Sequence, residues 1–180
     1  MLTDQHFPVN RFAFCPACGA ESFVQYDQKA LLCRHCNLLL YFNSSAAVAA
    51  IITNAEGEVL FTIRRRNPAV GLLDLPGGFV DPGETAEEAL VREIQEELGL
   101  EVIGCNYLRS FANTYHYREV LYHTTDLVFC CTVKSFEGIK ADDDVSGYVF
   151  RDPKGIDPHE IGLASIQAAI RSYIDLIKTM

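Results

Sequence analysis

Positive charge is scarce in this sequence. Its 180 residues carry 15 Lys and Arg against 24 Asp and Glu, a formal net charge of -9. A protein that coats nucleic acid needs clustered basic residues to neutralise phosphates, so that class is disfavoured. A small phosphorylated ligand held through a metal ion is still compatible with the balance. Long apolar runs are also missing: stretches such as Ala46–Ile52, AAVAAII, are too short to span a bilayer. No basic-apolar-small leader opens the chain, so a cytoplasmic protein without a membrane partner is expected. Tryptophan is absent altogether.

What is present suits a filled core. Hydrophobic residues make up 49% of the chain, enough for one sizeable domain with a small satellite. Four of the seven cysteines define the satellite. CPAC at Cys15–Cys18 and CRHC at Cys33–Cys36 are two CxxC knuckles separated by 14 residues, close to the spacing of a four-cysteine zinc ribbon. Tetrahedral zinc needs four thiolates at about 2.3 Å, and each knuckle brings two to one point. Two disulfides in a secreted miniature domain are the competing reading, and nothing else in the chain suggests secretion. His35 reads as a bystander. Cys105, Cys130 and Cys131 sit in apolar surroundings and read as buried free thiols.

After the ribbon, Ala47–Arg65 reads as two β-rich runs around a turn at Asn54–Gly57, a hairpin signal. Leu121–Val133 and Gly147–Phe150 are also β-like, and Ser165–Ile177 is helical. The central helix has clear punctuation. Asp81-Pro82-Gly83 is a turn, Thr85 with Glu88 is a capping box, and Gly99 ends the helix. A 100° periodicity places Leu90, Val91, Ile94 and Leu98 on one apolar stripe. Glu93, Glu96 and Glu97 fall on an adjoining face, together with Ala86 and Ala89, whose small side chains would leave room for a ligand. Like charges three and four residues apart repel. By spacing alone, screening on a solvated acidic face and a bound cation are equally good accounts.

The wider context separates them. Gly78–Leu100, GFVDPGETAEEALVREIQEELGL, carries the pattern Gly-x5-Glu-x7-Arg-Glu-apolar-x-Glu-Glu-x-Gly-apolar at Gly78, Glu84, Arg92, Glu93, Ile94, Glu96, Glu97, Gly99 and Leu100. This is the Nudix box, and from Ser44 onward the chain resembles a Nudix hydrolase. With the ribbon in front, it is similar to the zinc-containing NADH pyrophosphatase branch. The resemblance implies a zinc ribbon over residues 1–43 and a Nudix domain over 44–180. It implies an α/β fold, a Nudix-type α/β/α sandwich on a mixed β-sheet, and hydrolysis of a nucleoside diphosphate linked to another group. Glu93, Glu96 and Glu97 would hold Mg2+ or Mn2+, with the Gly78 carbonyl as a backbone ligand. Arg92 and Glu84 would fix the loop to the helix.

Outside the box the candidates are less specific. Asp144, from the run Asp142–Asp144, is a further metal ligand, against a solvated acidic turn. Arg64 and Arg66, in the run Arg64–Arg66, could meet substrate phosphates or lie on the surface. Phe111, Tyr115 and Tyr117 could stack on a base or belong to the core, and Tyr122 lies in the same region. The NADH branch carries Ser-Gln-Pro-Trp-Pro-Phe-Pro after the box, whereas this chain reads Ser110-Phe-Ala-Asn-Thr-Tyr-His-Tyr117 and has no tryptophan. The resemblance therefore favours ADP-ribose-like or dinucleotide substrates over NADH as such. A zinc-ribbon nucleic-acid binder and a nucleotide sensor are the alternatives of another class. A small-molecule nucleotide is the expected partner, nucleic acid is not, and a homodimer is compatible.

Overall fold

The structure, a computed structural model, describes residues 8–179; the side chains of Tyr115 and His116 also lie outside the described set. The chain divides into two compact units. One runs to Ser44 and takes in Thr114–His123; the other comprises Ser45–Asn113 and the chain from Thr124 onward. Sequence reading places 114–123 in the larger domain, whereas by packing it clusters with the smaller.

In the smaller unit, β1 (Phe23–Asp27), β2 (Ala30–Cys33) and β3 (Leu39–Tyr41) form an antiparallel sheet in chain order. A few residues, Val9, Cys15, Phe23, Leu31 and Cys33, make its core. So small a core is marginal without a further staple.

The larger unit contains β4 (Ser45–Ile52), β5 (Val59–Arg64), β6 (Leu73–Asp74), α1 (Ala86–Leu98), β7 (Val102–Tyr117, whose end enters the smaller unit), β8 (Val120–Val133), β9 (Val145–Arg151) and α2 (Ala164–Lys178). One sheet has the order β4-β8-β7, with β4 and β8 parallel; the other has the order β6-β5-β9 and is antiparallel. The turn at Asn54–Gly57 forms as expected, closed by the Gly57 amide on the Asn54 carbonyl at 3.1 Å. Its strands do not form a hairpin, because β4 and β5 diverge into different sheets after the single bridge Thr53–Val59.

Strand alternation explains why two helices are needed. Along β4, Val48, Ala50 and Ile52 join Leu90, Ile94 and Leu98 of α1 in one core. Ala49 and Ile51 join Ile166, Ala169 and Ile170 of α2 in another. Successive side chains point to opposite faces, so a strand apolar at every position is stable only when covered on both. The result is the expected α/β/α layering.

The apolar face of α1 is rotated from the expected stripe. Ala89, Leu90, Ile94 and Leu98 are fully buried, while Val91 is 43% exposed. Ala89 lies in the core and Ala86 packs against it, so neither makes room on the acidic face.

Candidate active site

The acidic helix is held by its own ends. Thr85 and Glu88 form the reciprocal capping box: the Glu88 amide donates to Thr85 Oγ1 at 3.2 Å, and the Thr85 amide donates to Glu88 Oε2 at 2.8 Å. Gly99 caps the other end by donating to the Gln95 carbonyl at 2.9 Å. This fixes the azimuth of the helix, and with it the direction of the glutamates.

Arg92 organises the outer part of the site. Its Nε and Nη2 donate to Glu84 Oε1 and Oε2 at 2.8 and 2.9 Å, a bidentate pair. Nη2 also donates to the Phe79 carbonyl at 3.1 Å. Nη1 donates to Glu93 Oε1 at 2.8 Å and to Glu96 Oε2 at 3.2 Å. These contacts hold the Glu84 carboxyl below the usual range and push the Arg92 guanidinium further up. The loop is thereby fastened to the helix through a fork whose donors all face protein acceptors.

Two adjacent glycines let the inner carboxylates approach the backbone. The Gly77 amide donates to Glu97 Oε2 at 3.0 Å. Gly77 has φ +148°, and a Cβ there would lie 2.1 Å from the Val48 carbonyl oxygen. A Cβ on Gly78 would lie 2.4 Å from Glu93 Oε1, so the Glu93 carboxylate rests on that backbone. The Gly78 carbonyl accepts the Val48 amide at 2.8 Å and keeps a second lone pair. Sequence reading missed Gly77, although the double glycine of Leu75-Pro76-Gly77-Gly78 was the available sign of a close approach.

Burial grades the three glutamates. Glu97 is 6% exposed, whereas the Glu96 side chain is half exposed. Burial, reinforced by the charges of Glu93, Asp74 and Asp144, pushes the Glu97 carboxyl up to about 8 against the Gly77 hydrogen bond. Burial also raises Glu93, with Arg92 opposing it. A raised buried carboxyl among like charges is the environment in which a divalent cation would be bound most favourably. The acidic run reaches the same place: the Asp142 amide donates to the Glu97 carbonyl at 2.9 Å, and Asp144 acts on the Glu97 charge.

The remaining candidates are distributed differently. Arg66 pairs with Asp144 at 2.9 Å and is mostly exposed. Arg64 turns inward, pairing with Asp74 and donating from Nε to the Pro68 carbonyl at 2.6 Å, so its fork already serves the fold. Phe111 is partly buried and packs against the core that includes α2 residues. Tyr117 belongs to the smaller unit, where it meets Tyr122 edge-on with centroids 6.4 Å apart. Tyr115 lies outside the described side chains.

In the smaller unit, Sγ of Cys15 and Cys36 lie 3.7 Å apart, as do those of Cys18 and Cys33. All four lie within 4.8 Å of one another, the one such group of three or more potential ligands among the described residues. The Ser22 hydroxyl, 3.4 Å from Cys33 Sγ, and the Cys36 amide at 3.5 Å bring the Cys33 thiol down to about 6. Donors aimed at a sulfur favour its thiolate, the form that binds metal. The glutamates are further apart than this, with Arg92 between Glu93 and Glu96.

The NUDIX domain family model matches residues 43–172. The chain belongs to the Nudix family. Among curated relatives, the NAD-capped RNA hydrolase NudC of Pseudomonas entomophila is 34% identical over 97 residues, covering 54% of this chain and 34% of its own length. The ADP-ribose pyrophosphatase of Methanocaldococcus jannaschii is 39% identical over 115 residues, covering 63% of this chain and 64% of its own. This chain thus spans about a third of the one and under two thirds of the other. Among solved structures, a Nudix hydrolase from Nitrosomonas europaea superposes with TM-score 0.70 at 20% identity, covering 91% of each chain. The Nudix domain of Shewanella oneidensis NrtR, solved with ADP-ribose, superposes with TM-score 0.59 at 20% identity, covering 75% of this chain and 89% of that one. The last two likenesses concern the fold.

Proposed function

We propose that this Nudix protein hydrolyses the pyrophosphate bond of a nucleoside diphosphate linked to a second group, with ADP-ribose-like compounds as the leading substrate class. The observation that carries the proposal is the convergence of Glu93, Glu97 and the Gly77–Gly78 backbone, with Arg92 and Glu84 bracing them. Water adds to one phosphorus, the bridging P–O bond breaks, and the second phosphate leaves with the bridging oxygen. ADP-ribose would thus yield AMP and ribose 5-phosphate.

Hard carboxylate and carbonyl oxygens suit Mg2+ or Mn2+, and Glu93, Glu96, Glu97, the Gly78 carbonyl and Asp144 are the residues that would hold it. Such an ion, when bound, neutralises phosphate charge and acidifies a coordinated water. The chain's own contribution is orientation. Gly77 fixes Glu97, Arg92 fixes Glu93, and burial keeps Glu97 away from bulk water. Arg66, exposed beside Asp144, is the remaining phosphate contact from the arginine run. Cys15, Cys18, Cys33 and Cys36 would hold one structural Zn2+, since four thiolates complete a tetrahedral shell.

The test of substrate class is a comparison of kcat/KM for ADP-ribose, NADH, dinucleoside polyphosphates, sugar nucleotides and oxidised nucleoside triphosphates with Mg2+ or Mn2+. ADP-ribose is expected to match or exceed NADH, because the segment Ser110–Tyr117 lacks the NADH motif. A preference for NADH of about a hundredfold, the scale of a pocket built for one ring, would instead place the chain in the NADH branch.

A further inference from the structure

Outside the acidic helix, β7 and β8 of the larger unit carry buried polar residues that the proposed chemistry does not use. Asp126 on β8 is 5% exposed, and Asn113 on the neighbouring β7 is 7% exposed. Thr124 Oγ1 donates to Asp126 Oδ1 at 2.6 Å. Counted from the two-residue turn Arg118–Glu119, Asn113 lies five positions before it and Thr124 five after, so an uninterrupted antiparallel pairing of the neighbouring strands β7 and β8 sets them opposite one another. Among the described residues the Asn113 carboxamide has no hydrogen-bond partner. A carboxylate and a carboxamide this little exposed are costly to keep in place unless something hydrogen-bonds them.

The position is not remote from the proposed chemistry. Asp126 acts on Asp74, and Asp74 acts on Glu97. Asp126 is also in register with Ala47 of β4, which bridges to Phe79, the neighbour of Gly78.

We propose that Asp126 and Asn113 form the subsite that holds the hydrogen-bond-donating end of the substrate's nucleoside. This deepens, and rests on, the reading of the site as one for nucleoside diphosphate derivatives. A carboxylate accepts and repels phosphate, so the occupant is a neutral group carrying N–H or O–H donors. A carboxamide both donates and accepts. Two parts of a nucleoside meet this description, the exocyclic amine of the base and the ribose hydroxyl pair. A correct pair of hydrogen bonds to a base edge discriminates by about ten- to a hundredfold.

The experiment uses Asp126→Asn, which preserves volume, and Asn113→Ser, with thermal unfolding to show that both fold. Affinity for ADP-ribose is measured by calorimetry, and kcat and KM are measured for ADP-ribose, its 6-keto inosine analogue and its adenosine 2′-deoxy analogue. Each variant should bind ADP-ribose about ten- to a hundredfold more weakly, with the kinetic loss in KM and kcat nearly unchanged. A wild-type preference for the amine over the 6-keto base that disappears in Asp126→Asn assigns the base; one for the 2′-hydroxyl that disappears assigns the ribose. Folded variants that retain wild-type affinity and both preferences would overturn the subsite while leaving the hydrolytic reading intact. Binding that depends on Asp126 in a protein that hydrolyses none of the panel would support the subsite and overturn the hydrolytic reading.

Discussion

Glu97 shows how one residue's position sets its chemistry. Its carboxyl is raised from the ordinary 4.5 to about 8, chiefly by burial. A group raised in the folded state stabilises the fold below its unfolded value and loses that contribution as pH rises through the folded one. In metal-free protein, the Glu97 contribution to stability should therefore decline between about pH 4.5 and pH 8. Glu97→Gln should flatten this decline and raise the melting temperature at pH 8, and added Mg2+ should do the same for the wild type. A wild-type Tm that rises across that window, unaffected by Glu97→Gln, would contradict the assignment. The neighbouring Gly77 is constrained for a different reason. Gly77→Ala places a carbon against the Val48 carbonyl, so the turn must shift and release Glu97. Soluble Gly77→Ala protein with wild-type kcat would show that this tether is dispensable. Arg92→Lys keeps the charge but loses the fork to Glu84, and should cost about 1.5–3 kcal/mol in denaturant unfolding.

At the scale of elements, α1 was the most legible part of the sequence because its stops are local. Thr85, Glu88 and Gly99 cap it as read, and Thr85→Ala should destabilise the protein by about 1 kcal/mol, measurable by urea unfolding at constant slope. The apolar face was read less well. Periodicity places Val91 and Leu90 on the same stripe, but the buried face runs through Ala86 and Ala89 instead and leaves Val91 43% exposed. Strands were legible where both faces are covered, as in β4. They were not where polar and aromatic residues interrupt alternation, and β7, with exposed Ile103, Tyr107 and Tyr117, had no period to find. The hairpin reading of Asn54–Gly57 failed because a turn specifies a reversal but not which sheet each arm joins. Arg64 shows the same limit, since a residue type suited to phosphate says nothing of the partner, here Asp74, that it meets within the fold.

For the whole molecule, the proposed function sets a chain of charge -9 against an anionic diphosphate, and a divalent cation at the acidic helix would reconcile the two. The ribbon obeys a separate rule. With so few buried residues, a zinc ion on the four cysteines would supply much of that unit's stability, so elemental analysis should find close to one Zn2+ per chain, absent from a Cys15→Ser/Cys36→Ser variant. Full zinc occupancy in that variant would contradict the four-cysteine site. Among the described residues no helix is long and apolar enough to cross a membrane. The most direct test of the central claim is the release of AMP from ADP-ribose, followed with and without Mg2+ or Mn2+, in the wild type and in Glu93→Gln and Glu97→Gln. Release that requires the cation and falls by about two to three orders of magnitude in both variants, with folding retained, is the predicted result. Cation-independent release, or near-normal turnover in both variants, would contradict it.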